Sequence, residues 1–166
     1  LLNKLLDWII RILEKKQRPI SGISESLLLA QLKRHEGFRS KVYKCPAGYM
    51  TIGYGRNVET NGITKEEAEY LLQKDVEKIE KKLSEKLSWF SDLEEPRRAV
   101  LINMAFNLGI AGLLKWKNTL ECIKEGEYSG ASSAIRQSKY ARQVGNRAKE
   151  LANQMETGFF KDQLRN

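Results

Sequence analysis

The chain has 166 residues and carries a formal net charge of +8, from 29 Lys and Arg against 21 Asp and Glu. Its composition, 41% hydrophobic and 30% charged, excludes a disordered chain, and no run approaches the roughly 18–20 apolar residues that cross a bilayer. This length suits one domain, bilobal at most, and the positive field favours nucleic acid, acidic membrane surfaces or acidic wall polymers without choosing among them.

Residues 1–16, LLNKLLDWIIRILEKK, read as a helix. Asn3, Lys4, Asp7, Arg11, Glu14 and Lys15 share one narrow stripe, and Leu, Ile and Trp8 cover the rest. Such an arc packs on the domain or on a second copy, or it lies on an anionic membrane surface. No small-residue cleavage site follows, so the segment does not read as a signal peptide. RPISG (18–22) reads as a linker. A second helix is expected over 24–36, capped by Ser24 or Ser26 and ended by Gly37.

KVYKC (41–45) and YMTIGY (49–54) are strand-like runs joined by Pro46-Ala47-Gly48. GRNVETNGI (55–63) predicts a further turn at Asn61-Gly62 and a third strand. Thr64 and Glu67 form a capping-box pattern. Ala68, Leu71, Leu72, Val76, Ile79, Leu83 and Leu87 then mark one apolar helix face. PRRAVLINMAFNLG (96–109) predicts a buried central helix, opened by Pro96 and stopped by Gly109. Shorter helices are expected over 117–125, 127–137 and 145–156. The order predicts an α+β fold, mainly α, with a small β-meander ahead of a helical lobe. A cleft between those lobes is the natural place for a site.

Two cysteines, Cys45 and Cys122, are too few for a disulfide scaffold and read as reduced thiols. With His35 as the lone histidine and no Cys-x-x-Cys, no metal or cofactor is expected. Cys122 reads as a small buried residue. Glu36, at a helix end beside a glycine-rich hairpin, reads on its own as a solvated glutamate. Thr51 reads equally as a strand former.

The spacing changes that reading. Glu36, eight residues, Cys45, five residues, Thr51, followed by TIGYG, resembles the catalytic hairpin of the phage-type lysozymes, the endolysins of glycoside hydrolase family 24. ITKEEAEYLLQKDV (63–76) resembles the start of that family's interlobe helix. RRAVLINMAFNLG (97–109) resembles its central helix, and NRAKELANQMETG (146–158) its C-terminal helix. The similarity spans about residues 24–160 and leaves 1–20 outside.

The resemblance implies a lysozyme-like bilobal fold within residues 21–166: a β-lobe at about 35–63, an interlobe helix at about 64–87 and a helical lobe at about 88–160. It implies a muramidase cutting the β-1,4 bond between N-acetylmuramic acid and N-acetylglucosamine, with inversion. Glu36 would be the general acid and Thr51 would hold the attacking water. Cys45 stands where members carry Asp or Cys. Its thiolate is the useful base, and neighbouring Lys44 would favour that form. Arg147 matches an arginine that pairs with the acid. Phe106, Asn107 and Thr119 match positions lining the saccharide cleft. Arg56 stands where many members have His, so an Arg56–Asp75 ion pair is expected, structural rather than catalytic. Ala134 replaces a cleft Asn, which removes one sugar contact.

Three functions follow from these expectations. The first is an inverting muramidase acting as a monomer, made in the host cytoplasm and reaching the wall after the membrane is permeabilised. The second is a lytic transglycosylase on the same peptidoglycan, which needs only the glutamate. The third is an inactive, basic wall-binding protein. Residues 1–16 could add contact with an anionic membrane or lipopolysaccharide. Nucleic acid has no support beyond charge.

Overall fold

A computed structural model of the chain describes residues 25–165. The helix and linker expected over residues 1–22 lie outside the described residues. The chain divides into two compact units, the first ending at Thr64 and the second beginning at Lys65.

In the first unit, helix α1 (Glu25–Glu36) leads into strands β1 (Arg39–Lys44), β2 (Met50–Gly53) and β3 (Arg56–Asn57). They form one antiparallel sheet in the order β1-β2-β3. Tyr43 pairs with Thr51 and Lys44 with Met50, while the Arg39–Gly53 pair is shifted in register by an irregularity in β1. Pro46 sits second in the turn that joins β1 to β2, the position its fixed φ favours. That turn closes through Gly48 N–H to Cys45 C=O at 2.8 Å and Cys45 N–H to Tyr49 C=O at 2.9 Å.

Beyond β3 the chain departs from expectation. Asn57 accepts from the N–H groups of Glu59 (3.0 Å) and Thr60 (3.1 Å) and caps a short helix, α2 (Val58–Asn61). Gly62 ends that helix, its N–H on Val58 C=O at 3.2 Å. The Asn-Gly pair is therefore a helix stop, not a hairpin turn.

The second unit is helical throughout its described residues. It comprises α3 (Lys65–Lys86), α4 (Glu95–Leu108), α5 (Ile110–Leu113), α6 (Lys117–Lys124), α7 (Tyr128–Gln137), α8 (Lys139–Val144) and α9 (Asn146–Thr157), with 3-10 turns at Phe90–Asp92 and Lys161–Arg165. The architecture is thus α+β and mainly α. Every buried apolar side chain described lies between Leu83 and Met155.

Helix α4 is central because Val100, Leu101, Met104 and Ala105 recur at helical spacing and are all buried. The apolar face of α3 is used only in part. Leu83 is buried and Ile79 and Leu87 pack on the core, whereas Leu71 and Leu72 are half exposed. Cys122 sits in α6, partly covered.

Polar groups tie α4 to α9. Arg97 donates from Nε to Met155 C=O (3.0 Å) and from Nη2 to Glu156 C=O (3.3 Å), pairs with Glu94, and lies 3.7 Å above the Tyr128 ring. These bonds satisfy carbonyls at the C-terminal end of α9, where a cation also suits the helix dipole. Gly158 must be glycine there: its φ is +74°, and an added Cβ would sit 2.8 Å from Arg97 Nη1.

Candidate active site

Glu36 is the last residue of α1, in a turn that also carries Lys33, Arg34 and His35. Gly37 donates its N–H to Lys33 C=O at 3.1 Å and leaves the helix at φ +66°. The chain then returns through β2 so that Gly55 lies against the Glu36 side chain. An added Cβ at Gly55 would meet Glu36 Oε2 at 2.8 Å and Cδ at 3.3 Å, and its φ is +78°. The final glycine of TIGYG is therefore the surface against which the exposed carboxylate rests.

Cys45 stands at the end of β1, partly exposed. Its thiol is held below the ordinary thiol range. The leading cause is a backbone hydrogen bond from Tyr49, then the Thr51 hydroxyl, and then backbone bonds from Ala47 and Gly48; partial burial opposes them. Successive N–H groups of the turn thus form a small cradle for a sulfur anion. The charge on Lys44, expected to do this work, is not among the causes. Dipoles fixed by the turn replace a mobile surface charge.

Thr51 is the one buried residue of its unit among those whose burial is described, at 3% exposure. Its hydroxyl donates to Tyr49 C=O at 3.1 Å and is also a partner of the Cys45 sulfur. With one proton and two acceptors, it can turn from the carbonyl to the sulfur when the thiol ionises.

Arg56 is engaged through Nε and Nη2 with Gly62 C=O, at 3.1 and 3.0 Å. Asp75 belongs to the second unit, on the exposed side of α3.

The remaining expected residues lie in the second unit. Phe106 and Asn107 are exposed at the end of α4, and Thr119 is buried in α6. Ala134 is half-buried on α7. Arg147, in the first turn of α9, donates from Nε to Asn103 Oδ1 (2.8 Å) and from Nη2 to Asn103 C=O (3.2 Å). Two nitrogens on one residue fix the guanidinium plane. Tyr140 lies close enough for the Arg147 charge to pull its hydroxyl's pKa down, but burial dominates and raises it. Asn103 and Gly55 were not singled out from the sequence. A non-β-branched polar residue inside the apolar run VLINMAF was the available signal for Asn103.

The small antiparallel sheet of the first unit and the helical second unit give the α+β, mainly α architecture of the lysozyme class. The phage lysozyme family profile matches residues 33–156, and the chain belongs to that family. It is 31% identical over 122 residues to an endolysin of Acyrthosiphon pisum secondary endosymbiont phage 1, covering 72% of this chain and 82% of that one. A probable T4-type lysozyme 1 of Dictyostelium discoideum is 27% identical over 156 residues, covering 76% and 92%. The pre-baseplate central spike protein Gp5 of Enterobacteria phage T4 is 28% identical over 174 residues, covering 85% of this chain but 30% of that longer protein.

Proposed function

We propose that this lysozyme hydrolyses the β-1,4 bond between N-acetylmuramic acid and N-acetylglucosamine in peptidoglycan, with inversion. Glu36 gives its proton to the glycosidic oxygen as the C1–O bond breaks. The Cys45 thiolate faces the developing oxocarbenium ion and takes a proton from the water that attacks C1. The Thr51 hydroxyl orients that water. Water supplies the new hydroxyl, Glu36 is left as carboxylate and Cys45 as thiol, and proton exchange with solvent resets both.

The observation that carries this reading is the cradle at Cys45. Backbone N–H groups and the Thr51 hydroxyl favour the anion, so a thiol can hold the charge that a carboxylate would otherwise hold. Phe106, Asn107 and Thr119 are assigned to the sugar by the family resemblance. So is Arg147 as counter-charge to the acid, and its bonds to Asn103 support a fixed guanidinium. In this reading the protein is made in the host cytoplasm, acts as a monomer and reaches the wall once the membrane is opened, causing lysis. Residues 1–16 add contact with anionic membrane or lipopolysaccharide.

The test is wall lysis by three variants side by side. Glu36→Gln is expected to be inactive, Cys45→Ser strongly impaired and Cys45→Asp active. Full activity in Cys45→Ser would remove the thiol from the mechanism. New reducing ends support hydrolysis, whereas 1,6-anhydromuramic ends would convert the assignment to a transglycosylase.

A further inference from the structure

After α9 the chain turns back along that helix, and the two border a recess of about 280 Å³. Gly158 makes the return possible: it leaves the helix at φ +74°, with its N–H on Gln154 C=O at 3.0 Å. Phe159 N–H then bonds Thr157 Oγ1 at 3.3 Å, and Lys161 Nζ closes on Glu150 Oε2 at 3.1 Å. Gln154, a buried member of the lining, is fixed by donating from Nε2 to Pro96 C=O at 2.7 Å. The lining shares no residue with the hairpin, nor with Phe106, Asn107 and Thr119.

Its chemistry is mostly that of a donor. Asn146, Lys149 and Asn153 come from one face of α9, at i, i+3 and i+7. Among the described residues Lys149 has no ion-pair partner and the Asn146 carboxamide no hydrogen-bond partner. Asn153 Oδ1 accepts from Arg136, which leaves its NH₂ group as a pair of donors. Glu150 and Lys161 neutralise each other. The ring of Phe159, 53% exposed, completes the lining.

Amide and ammonium donors beside one bare aromatic ring suit an oxygen-rich ligand with an apolar C–H face. A pyranose has both: hydroxyl and acetamido oxygens around its edge, and axial hydrogens on its face. Asn146 and Asn153 stand about 10 Å apart along the helix axis, similar to the length of a β-1,4-linked disaccharide. A single uncommitted cation is too few for a nucleic acid or an anionic lipid surface. One exposed ring is no apolar face for a membrane.

We propose that this recess is a second, non-catalytic saccharide site that anchors an N-acetylated β-1,4 glycan to the helical unit. The proposal rests on the muramidase reading for its ligand. Phe159 is the stacking platform, and Asn146, Lys149 and Asn153 donate to the sugar oxygens. None of them takes part in the proton transfers.

The probe is tetra-N-acetylchitotetraose, a neutral β-1,4 glycan. It is titrated into the full chain carrying Glu36→Gln, which stops turnover, while NMR follows the side-chain amide signals of Asn146 and Asn153. Both signals should shift and saturate together. Phe159→Ala in the same chain should raise the Kd read from them about tenfold, the scale of one aromatic contact. Phe159→Tyr, which keeps the ring, should hold it within about twofold. The ring is exposed, so the unfolding midpoint of both variants should stay near that of the parent.

Amides that do not move, an unchanged Kd in Phe159→Ala, or inorganic phosphate shifting the amides at lower concentration than the glycan would each overturn the site. Reducing-end release from peptidoglycan by the unsubstituted chain is scored separately. No release with the amide shifts intact would sink the hydrolase reading and leave the saccharide site standing. Release without the shifts would do the reverse.

Discussion

The stretch from residue 27 to Thr64 buries a single side chain, Thr51, while the stretch from Leu83 to Met155 buries an apolar cluster drawn from every long helix of its unit. The first is ordered by backbone bonds: a three-stranded ladder, a turn closed on Cys45, and an Asn57 cap. The second is ordered by packing. The candidate proton-transfer groups, Glu36 and Cys45, sit in the first, and a cradle of N–H groups needs no core to act on a sulfur. Substitutions should therefore fail in different ways. A change in the helical unit should cost stability, and a change in the hairpin unit should cost chemistry at nearly constant stability.

The largest expected effect tests the first half of that contrast. Leu101 is fully buried on α4. Leu101→Ala removes its packing and leaves a cavity, which costs about 3 kcal/mol or more. The midpoint of thermal or urea unfolding should fall accordingly, while wall lysis at low temperature stays within about twofold of the parent, since ground-state chemistry is untouched. A loss of lysis in fully folded Leu101→Ala would break the division of labour.

How much of this was legible beforehand follows the same division. The helices over 25–36, 65–86 and 95–108 were readable because apolar spacing, Pro96 and the stopping glycines are local signals. Helix α8 also had a local signal that went unread: Ser138, whose hydroxyl accepts Ala141 N–H at 3.0 Å. The Asn-Gly pair at 61–62 misled because the same two residues serve a hairpin turn or a helix stop, and only the Asn57 cap decides between them.

At the site, the spacing of Glu36, Cys45 and Thr51 was visible. The source of the Cys45 shift was not, because Lys44 is adjacent in sequence while the effective N–H groups become adjacent only when the turn closes. The grip of Asn103 on Arg147 spans 44 residues and could not be read from either segment. The partial exposure of Leu71 and Leu72 likewise depends on where the core of the helical unit begins, not on their place in the apolar stripe.

Gly55→Ala tests the second half of the contrast, with an intermediate effect. The new methyl would lie 2.8 Å from Glu36 Oε2, and its backbone would keep a left-handed φ of +78°. The conformational strain costs about 1 kcal/mol, a small change in unfolding midpoint. Displacing the acid by a fraction of an ångström to an ångström should cost lysis on the order of a hundredfold. The signature is thus the reverse of Leu101→Ala, and lysis at the parental rate would show that the carboxylate does not need this seat.

The smallest effect is the most specific to the thiol. Thr51→Val keeps the shape of a buried side chain and removes the hydroxyl that helps hold the Cys45 anion. The group is acidic and its pKa is lowered in the folded chain, so the thiolate gains ground as pH rises, starting below the ordinary thiol range. Loss of one contributing hydrogen bond must move that rise to higher pH. Alkylation of Cys45 by iodoacetamide, followed against pH, reads the shift directly, with Cys122 mapped separately by peptide analysis. Lysis near neutral pH should fall by roughly fivefold from the lost hydrogen bond to the sulfur, and the lost contact to the attacking water lowers it further by a factor that does not vary with pH. The rising limb of the lysis profile should move in step with the alkylation curve. The Tyr49, Ala47 and Gly48 bonds remain in the variant, so the shift should be partial. In Cys45→Asp the same Thr51→Val change should leave the rising limb near the carboxylate range at about pH 4, because an aspartate is already ionised well below neutrality. If the lysis profile of Thr51→Val stays put while its alkylation curve moves, the thiolate is not the working form, and Cys45 acts as a neutral group beside the reacting sugar.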